Sequence, residues 1–215
     1  MKRAILASLS VAMLAGCSYG AQTSISPSYN VPSSYDRKLE GDYAVQVNGE
    51  TMQEDVSVSG FNCSAHDYPL DMRSAFETST IKTLQQVVDN AKLVKNALSR
   101  ADMKKQNFQG FVRVEGRNVD TDLTVDQGFF SSDMKAEVQL VATINVDTPK
   151  GRALGTTVSA QRDKKTGAGA ACEGGAEAIS GAAEDAMQAL MRRIGEEISN
   201  SPRLREQMSV VPVRK

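Results

Sequence analysis

With 215 residues, 24% of them charged and a formal net charge of -1, the chain lacks the basic excess that nucleic-acid binding requires. The absence of Trp and an aromatic content of 5% leave little from which to build a stacking platform for bases or sugars. The lone His66 and two distant cysteines, Cys63 and Cys172, offer no zinc spacing.

The first element runs from Met1 to Gly16. Lys2 and Arg3 precede an apolar run, Ala4 to Ala15, interrupted only by Ser8 and Ser10. A charged start, a short apolar core and small residues before a cleavage point describe a secretory signal peptide. The run of about a dozen residues falls short of the roughly 20 that cross a membrane as a helix. It closes on Leu14-Ala15-Gly16-Cys17, which resembles the lipobox of bacterial lipoproteins. That resemblance implies cleavage before Cys17, acylation of its sulfur by palmitate-class chains and a lipid-bearing N-terminus. An ordinary signal peptide followed by a chance Cys is the alternative. Two or three acyl chains anchor firmly where one alone binds marginally. Ser18, in place of Asp, favours the outer membrane by resemblance to enterobacterial sorting. Loss of residues 1–16 removes Lys2 and Arg3, so 25 basic residues become 23 against 26 acidic ones. No second long apolar run follows Ala15, so the remainder is expected to face the periplasm.

Residues 17–38 are rich in Ser, Tyr, Pro, Asn and Gln with almost no aliphatic side chains, the composition of a flexible tether. About 20 such residues reach at most ~70 Å, which keeps the domain close to its own membrane. A single domain is expected over residues 39–202. It opens with a strand in which Tyr43, Val45 and Val47 alternate with Ala44 and Gln46, followed by the Asn48-Gly49 turn and a short strand near Val56, Val58 and Phe61. Pro69 then leads into a helix over Leu70 to Asn90, with Asp71 at its N-terminal end and Met72, Phe76, Thr80, Leu84, Val87 and Ala91 on one face. The stretch to Leu98 either extends this helix or forms a short one of its own.

Phe111 to Gly116 resumes a strand pattern, and Val119 to Phe130 reads as a polar, acidic loop or irregular edge. The clearest strand spans Met134 to Val146, with Met134, Ala136, Val138, Leu140, Ala142, Ile144 and Val146 on one face and Val141 the single apolar residue on the other. Thr148-Pro149-Lys150-Gly151 turns the chain into a returning strand through Leu154, Thr156, Val158 and Ala160. After a flexible Lys164 to Gly169 comes a long helix, Cys172 to Ser199, whose face contains Ala178, Ile179, Ala182, Ala186, Leu190, Ile194 and Ile198. Its small residues bring its backbone close to the sheet, while Glu173, Glu177, Glu184 and Asp185 exclude insertion in a membrane. Pro202 stops it, leaving a loose tail at 203–215. The fold class is α+β: a small, mostly antiparallel sheet with two helices packed on one face, in the order β-β-α-β-β-β-α.

With Cys17 lipidated, Cys63 and Cys172 remain in an oxidising compartment, where a disulfide between them is expected and two free buried thiols are the alternative. The lipobox, the hairpin Met134 to Ala160 and the helix Ala178 to Ile198 ahead of Ser201-Pro202-Arg203-Leu204 resemble small outer-membrane lipoproteins of the YajG kind and, more distantly, LptE. The resemblance implies a non-enzymatic, envelope-associated domain and carries over no catalytic residue.

Chemistry-bearing patterns are sparse. His66 stands in Ser64-Ala65-His66-Asp67 with no Gly-x-Ser-x-Gly elbow in the chain. The glycines of Thr166 to Gly175 precede a helix but lack the Lys-Ser/Thr ending of a P-loop, and Glu173 and Glu177 repel phosphate. Asp120, Asp122 and Asp126 invite only calcium, and neither the glycine turn nor the closing Glu falls at the right spacing. No metal and no cofactor is expected, and the chain is read as no enzyme. The leading function is a binding or assembly module, anchored in the outer membrane and contacting an envelope protein partner. An uncovered edge at the strand Tyr43 to Val47 would favour it, since edges recruit partners by strand addition. A periplasmic small-ligand or lipid carrier and an activator of cell-wall synthesis are the alternatives.

Overall fold

A computed structural model describes residues 37–59, 63–128 and 131–208. The signal peptide, the lipobox with Cys17, nearly all of the tether and the last seven residues of the tail lie outside the described residues. The elements are β1 (Leu39–Asn48), β2 (Gln53–Ser59), β3 (Asp67–Asp71), α1 (Arg73–Val87), β4 (Val88–Leu93), α2 (Arg100–Lys105), β5 (Gly110–Gln127), β6 (Ser132–Thr148), β7 (Gly151–Gly167), α3 (Gly174–Ser199) and α4 (Pro202–Met208).

The long hairpin organises the molecule. In β6 every even residue from Met134 to Val146 is buried, while its odd neighbours are half-exposed, as strict alternation demands. β5 and β7 pair with β6 along its whole length, both antiparallel. α3 lies across β6 and β7, and all seven side chains expected on its inner face are fully buried. The alanines of that face let the helix approach closely: a Cβ on Gly175 would come within 2.7 Å of the Tyr68 ring. α1 packs beside α3 over β1 and β4, and the Thr80 hydroxyl points at the Met191 sulfur, 3.6 Å away.

The α+β class stands, but the sheet is mixed where a mostly antiparallel one was expected. β1 pairs in parallel with both β4 and β5, and β2 pairs in parallel with β5. Four elements account for the altered order. Pro69 lies inside β3, opposite Asp55 on β2, so the helix starts only at Arg73; an outer strand tolerates the missing N–H. The residues from Val88 to Leu93, expected to be helical, form β4. They are followed by α2, whose Ser99 and Asp102 make a reciprocal capping box. Pro202 ends α3 and opens α4, which buries Leu204 in the core.

The expected acidic loop at Val119 to Phe130 is strand as far as Gln127. Its alternation changes phase: Val112 and Val114 are buried before the irregularity at Gly116 to Asn118, and Val119 and Leu123 after it. A bulge of that kind shifts the inward side by one residue. The supposed flexible start at Lys164 is likewise strand, with Lys164 opposite Ala136. Finally, α1 and α3 share one face of the sheet as expected, but α2 covers part of the other. There Met103 and Phe108 meet Ala44 and Phe111 in a second, smaller core.

Candidate interaction site

At one end of the molecule the chain is tied across a long sequence gap. Cys63 and Cys172 form a disulfide spanning 109 residues, with Cα atoms 5.9 Å apart. Both adopt a left-handed backbone with φ of 62°, and the buried Tyr68 donates its hydroxyl to the Cys172 carbonyl at 2.8 Å. The bridge and the tyrosine fix the turn before β3 against the start of α3. His66 belongs to this turn: its amide donates to the Cys63 carbonyl at 3.0 Å, and its ring lies 6.5 Å from that of Tyr68. The half-buried His66 and the exposed Asp67 therefore sit against a structural tie. Tyr68 escaped sequence reasoning because nothing local distinguishes it from any strand tyrosine.

The glycine-rich segment before α3 already holds an anion, and the anion is its own. The Ala171 amide donates to Glu173 Oε2 at 2.8 Å. Bonds from backbone amides, Glu173's own first among them, hold the Glu173 carboxyl below the usual range. A Cβ on Gly169 would fall 2.3 Å from this carboxylate. The signal was legible in the order Gly-rich loop, Glu, helix, since an acid at a helix start satisfies its open amides.

Asp120, Asp122 and Asp126 share the outer side of β5, each opposite a different residue of β6: Gln139, Glu137 and Asp133. Side chains on alternate residues of a strand are about 6.6 Å apart or more along the chain, so the strand spreads them instead of gathering them. Asp122 accepts from the Ser59 hydroxyl at 3.0 Å, and Lys165 bridges Asp126 and Asp133 at 3.1 Å each. Among the described residues no three His, Cys, Asp or Glu side chains gather in a metal-binding group.

Glu54 is an acid that sequence reading did not single out. One oxygen of its carboxylate, Oε2, is buried without a partner. Burial pushes its pKa up, the Asp120 charge adds to the rise, and the adjacent Thr121 works against it. A carboxyl raised in the folded state is protonated alike in both states at low pH; stability is then lost as pH climbs through the folded value. Glu54→Gln is therefore expected to match the parent in Tm near pH 4 and to exceed it at pH 7. Because much of the side chain is open to solvent the gain is small, and equal Tm values at both pH values would contradict this account.

Among the described residues, two surface grooves of about 350 and 400 Å³ are lined chiefly by charged and polar residues, the first by Arg162, Asp185, Gln188 and Arg192 between β7 and α3. A third of about 540 Å³ is lined by glycines, Ala168, Ser131, Ser132 and Asp133. A carrier of apolar ligands would want an apolar enclosure instead.

The sheet edges are differently disposed from expectation. β1 is interior, with β4 on one side and β5 on the other, so Tyr43 to Val47 is not an edge and cannot receive an added strand. The sheet runs β3-β2-β5-β1-β4, with β6 and β7 continuing beyond β5, which leaves β3, β4 and β7 outermost among the described residues.

No family model and no curated protein matches the chain. Among solved structures it is similar to a putative neuraminyllactose-binding hemagglutinin homolog from Helicobacter pylori, at 13% identity and a TM-score of 0.51 over 85% of this chain and 96% of that one. It is also similar to a DUF330 protein from Xanthomonas campestris (7% identity, TM-score 0.46, 83% and 92% covered) and to a minor lipoprotein from Acinetobacter baumannii (13%, 0.37, 74% and 91%). The first of these likenesses extends to the fold, and none of them reaches the chemistry of a site.

Proposed function

We propose that this chain is a lipoprotein anchored through Cys17 to the outer membrane, whose α+β domain faces the periplasm and serves as a non-enzymatic binding or assembly module of the bacterial envelope. The observation that carries the reading is the lipobox Leu14-Ala15-Gly16-Cys17 at the end of a short apolar run. The Cys63–Cys172 bridge supports it, because such bonds persist in exported proteins and are rare in the cytosol. No helix among the described residues is long and apolar enough to cross a membrane, which agrees with attachment by lipid. A fold shared with a Helicobacter hemagglutinin homolog is compatible with surface or envelope work, and the YajG-like pattern points the same way.

Affinity capture of the lipidated protein from solubilised envelopes, beside a Cys17→Ala control, tests the role. The reading expects a stoichiometric envelope protein that is lost in the control. Capture of the same protein by the unlipidated variant at equal yield would remove the anchor from the mechanism. The absence of any envelope protein from the lipidated sample would overturn the assembly role.

A further inference from the structure

We propose that the free edge of β4 pairs antiparallel with the same edge of a second copy of this chain, joining two sheets into one. Exposed strand edges recruit other strands, and proteins guard those they do not use with Pro, charge or capping groups. Two of the three outer strands are guarded in this way. β3 is five residues long and carries Pro69 at its centre. On β7 the Arg193 guanidinium donates to the Ser159 carbonyl, Arg162 donates to the Gln161 carbonyl at 2.6 Å, and the exposed run Gln161-Arg162-Asp163-Lys164-Lys165 keeps the edge charged.

β4 is six residues long and carries Asp89 and Lys92, but it has no Pro, and its lysine is drawn back to Asp42 of β1. The Val94 amide donates to the Val45 carbonyl at 2.9 Å with Leu93 opposite Val45. Lys92 and Val94 therefore turn their backbone groups toward β1, whereas Asp89, Ala91 and Leu93 turn theirs outward. Leu93 is 63% exposed, and among the described residues it is the only large hydrophobic side chain so placed. The exposed leucine and the open backbone groups coincide on one short strand.

The edge is complementary to itself. Outward-facing groups meet only when odd positions oppose odd ones. The register that sets Lys92 opposite the Lys92 of the second copy then brings Ala91 against Leu93 and places Asp89 beside Lys95, each twice by symmetry. Lys95 lies two residues past the end of β4, and its carbonyl accepts from the Gln46 side chain at 2.9 Å. On the face that carries Leu93 the apolar pairs stand nearest the axis with opposite charges beyond them, and on the other face the two Lys92 side chains meet. The facing lysines are each already held by Asp42 of their own chain, and each ammonium lies 5.7 Å from the Phe108 ring centroid. A six-residue contact belongs to the weak class of interfaces, and confinement of both copies to one membrane raises their effective concentration. The edge belongs to the domain itself, but the effective concentration that sustains so weak a contact rests on the proposed membrane anchor; recovery of the Lys92→Cys chain in the membrane fraction checks that anchor separately from the crosslink.

The test uses variants of the full chain with one added cysteine, in the native membrane, where Cys63 and Cys172 are already bonded to each other and Cys17 is the proposed lipid site. Facing residues in a non-hydrogen-bonded antiparallel pair have Cα atoms about 4.5 Å apart, within disulfide range. Lys92→Cys is thus expected to yield a disulfide-linked dimer on a non-reducing gel, and Asn90→Cys, out of register with its own copy, is not. In the Lys92→Cys background, Leu93→Lys and Asp89→Lys are each expected to reduce the dimer about tenfold, and Lys95→Asp to restore it when added to Asp89→Lys. Protease resistance of each monomer checks folding. Equal crosslinking of Asn90→Cys and Lys92→Cys would overturn the pairing. So would the absence of a dimer from a folded, membrane-bound Lys92→Cys chain, whether the edge is then vacant or taken by another segment.

Discussion

Replacing Cys63 and Cys172 together by Ala is expected to lower the unfolding free energy by as much as ~4.7 kcal/mol, the chain-entropy figure for a loop of about a hundred residues. The bridge closes 109 residues, a span that includes α1, β4, α2, β5, β6 and β7. Without it the unfolded chain gains freedom that the native sheet never had. Urea unfolding with and without dithiothreitol measures the effect: reductant should shift the parent to the midpoint of the double variant and leave that variant unchanged. Reduction should also raise the denaturant slope, because the unlinked chain exposes more surface on unfolding. A parent indifferent to reductant would show that the bridge contributes nothing to stability.

Phe76→Ala is the second large effect, expected at about 3–5 kcal/mol for a fully buried aromatic ring. Phe76 is completely inaccessible and belongs to the main core, together with Leu84 of α1, Val45 of β1 and Leu190 of α3. Its amide closes the first turn of α1 on the Met72 carbonyl at 2.8 Å, and its ring lies under the β1–β2 turn near Gly49. Removing the ring opens a cavity where α1 meets the sheet. Chemical denaturation should show a lower midpoint at nearly unchanged helix content in water. A loss below 1 kcal/mol would mean that the site collapses to fill the space.

These two sites also show what the sequence made legible. Phe76, Thr80 and Leu84 sit at helical spacing and are buried as that spacing predicts; β6 alternates without interruption; α3 keeps its inner face over 26 residues. In each case one periodic face looks into the core, and one period describes the whole element. The misread segments lack that consistency. In β5 the irregularity near Gly116 divides the alternation into two phases, so its second half looked like a loop. β4 follows α1 directly, and Val87 and Ala91 keep a helical interval across the junction, which hid the change to strand. Parallel pairing of β1 with β4 and β5 is a long-range choice that no local pattern records, and with it went the expectation that Tyr43 to Val47 formed an edge. At the candidate site the cysteine pair was readable from compartment and number, while Tyr68, Glu54 and Leu93 acquire their meaning only from the neighbours that folding gives them.

The lipid anchor underlies the functional account. The measurement that tests it most directly is mass spectrometry of the N-terminal peptide of the protein purified from bacterial outer membranes. The account predicts a chain that begins at Cys17, carries a diacylglyceryl group on the sulfur, and fails to mature or attach when Cys17→Ala is introduced. A mature chain recovered without lipid, or one that begins at another residue, would contradict it.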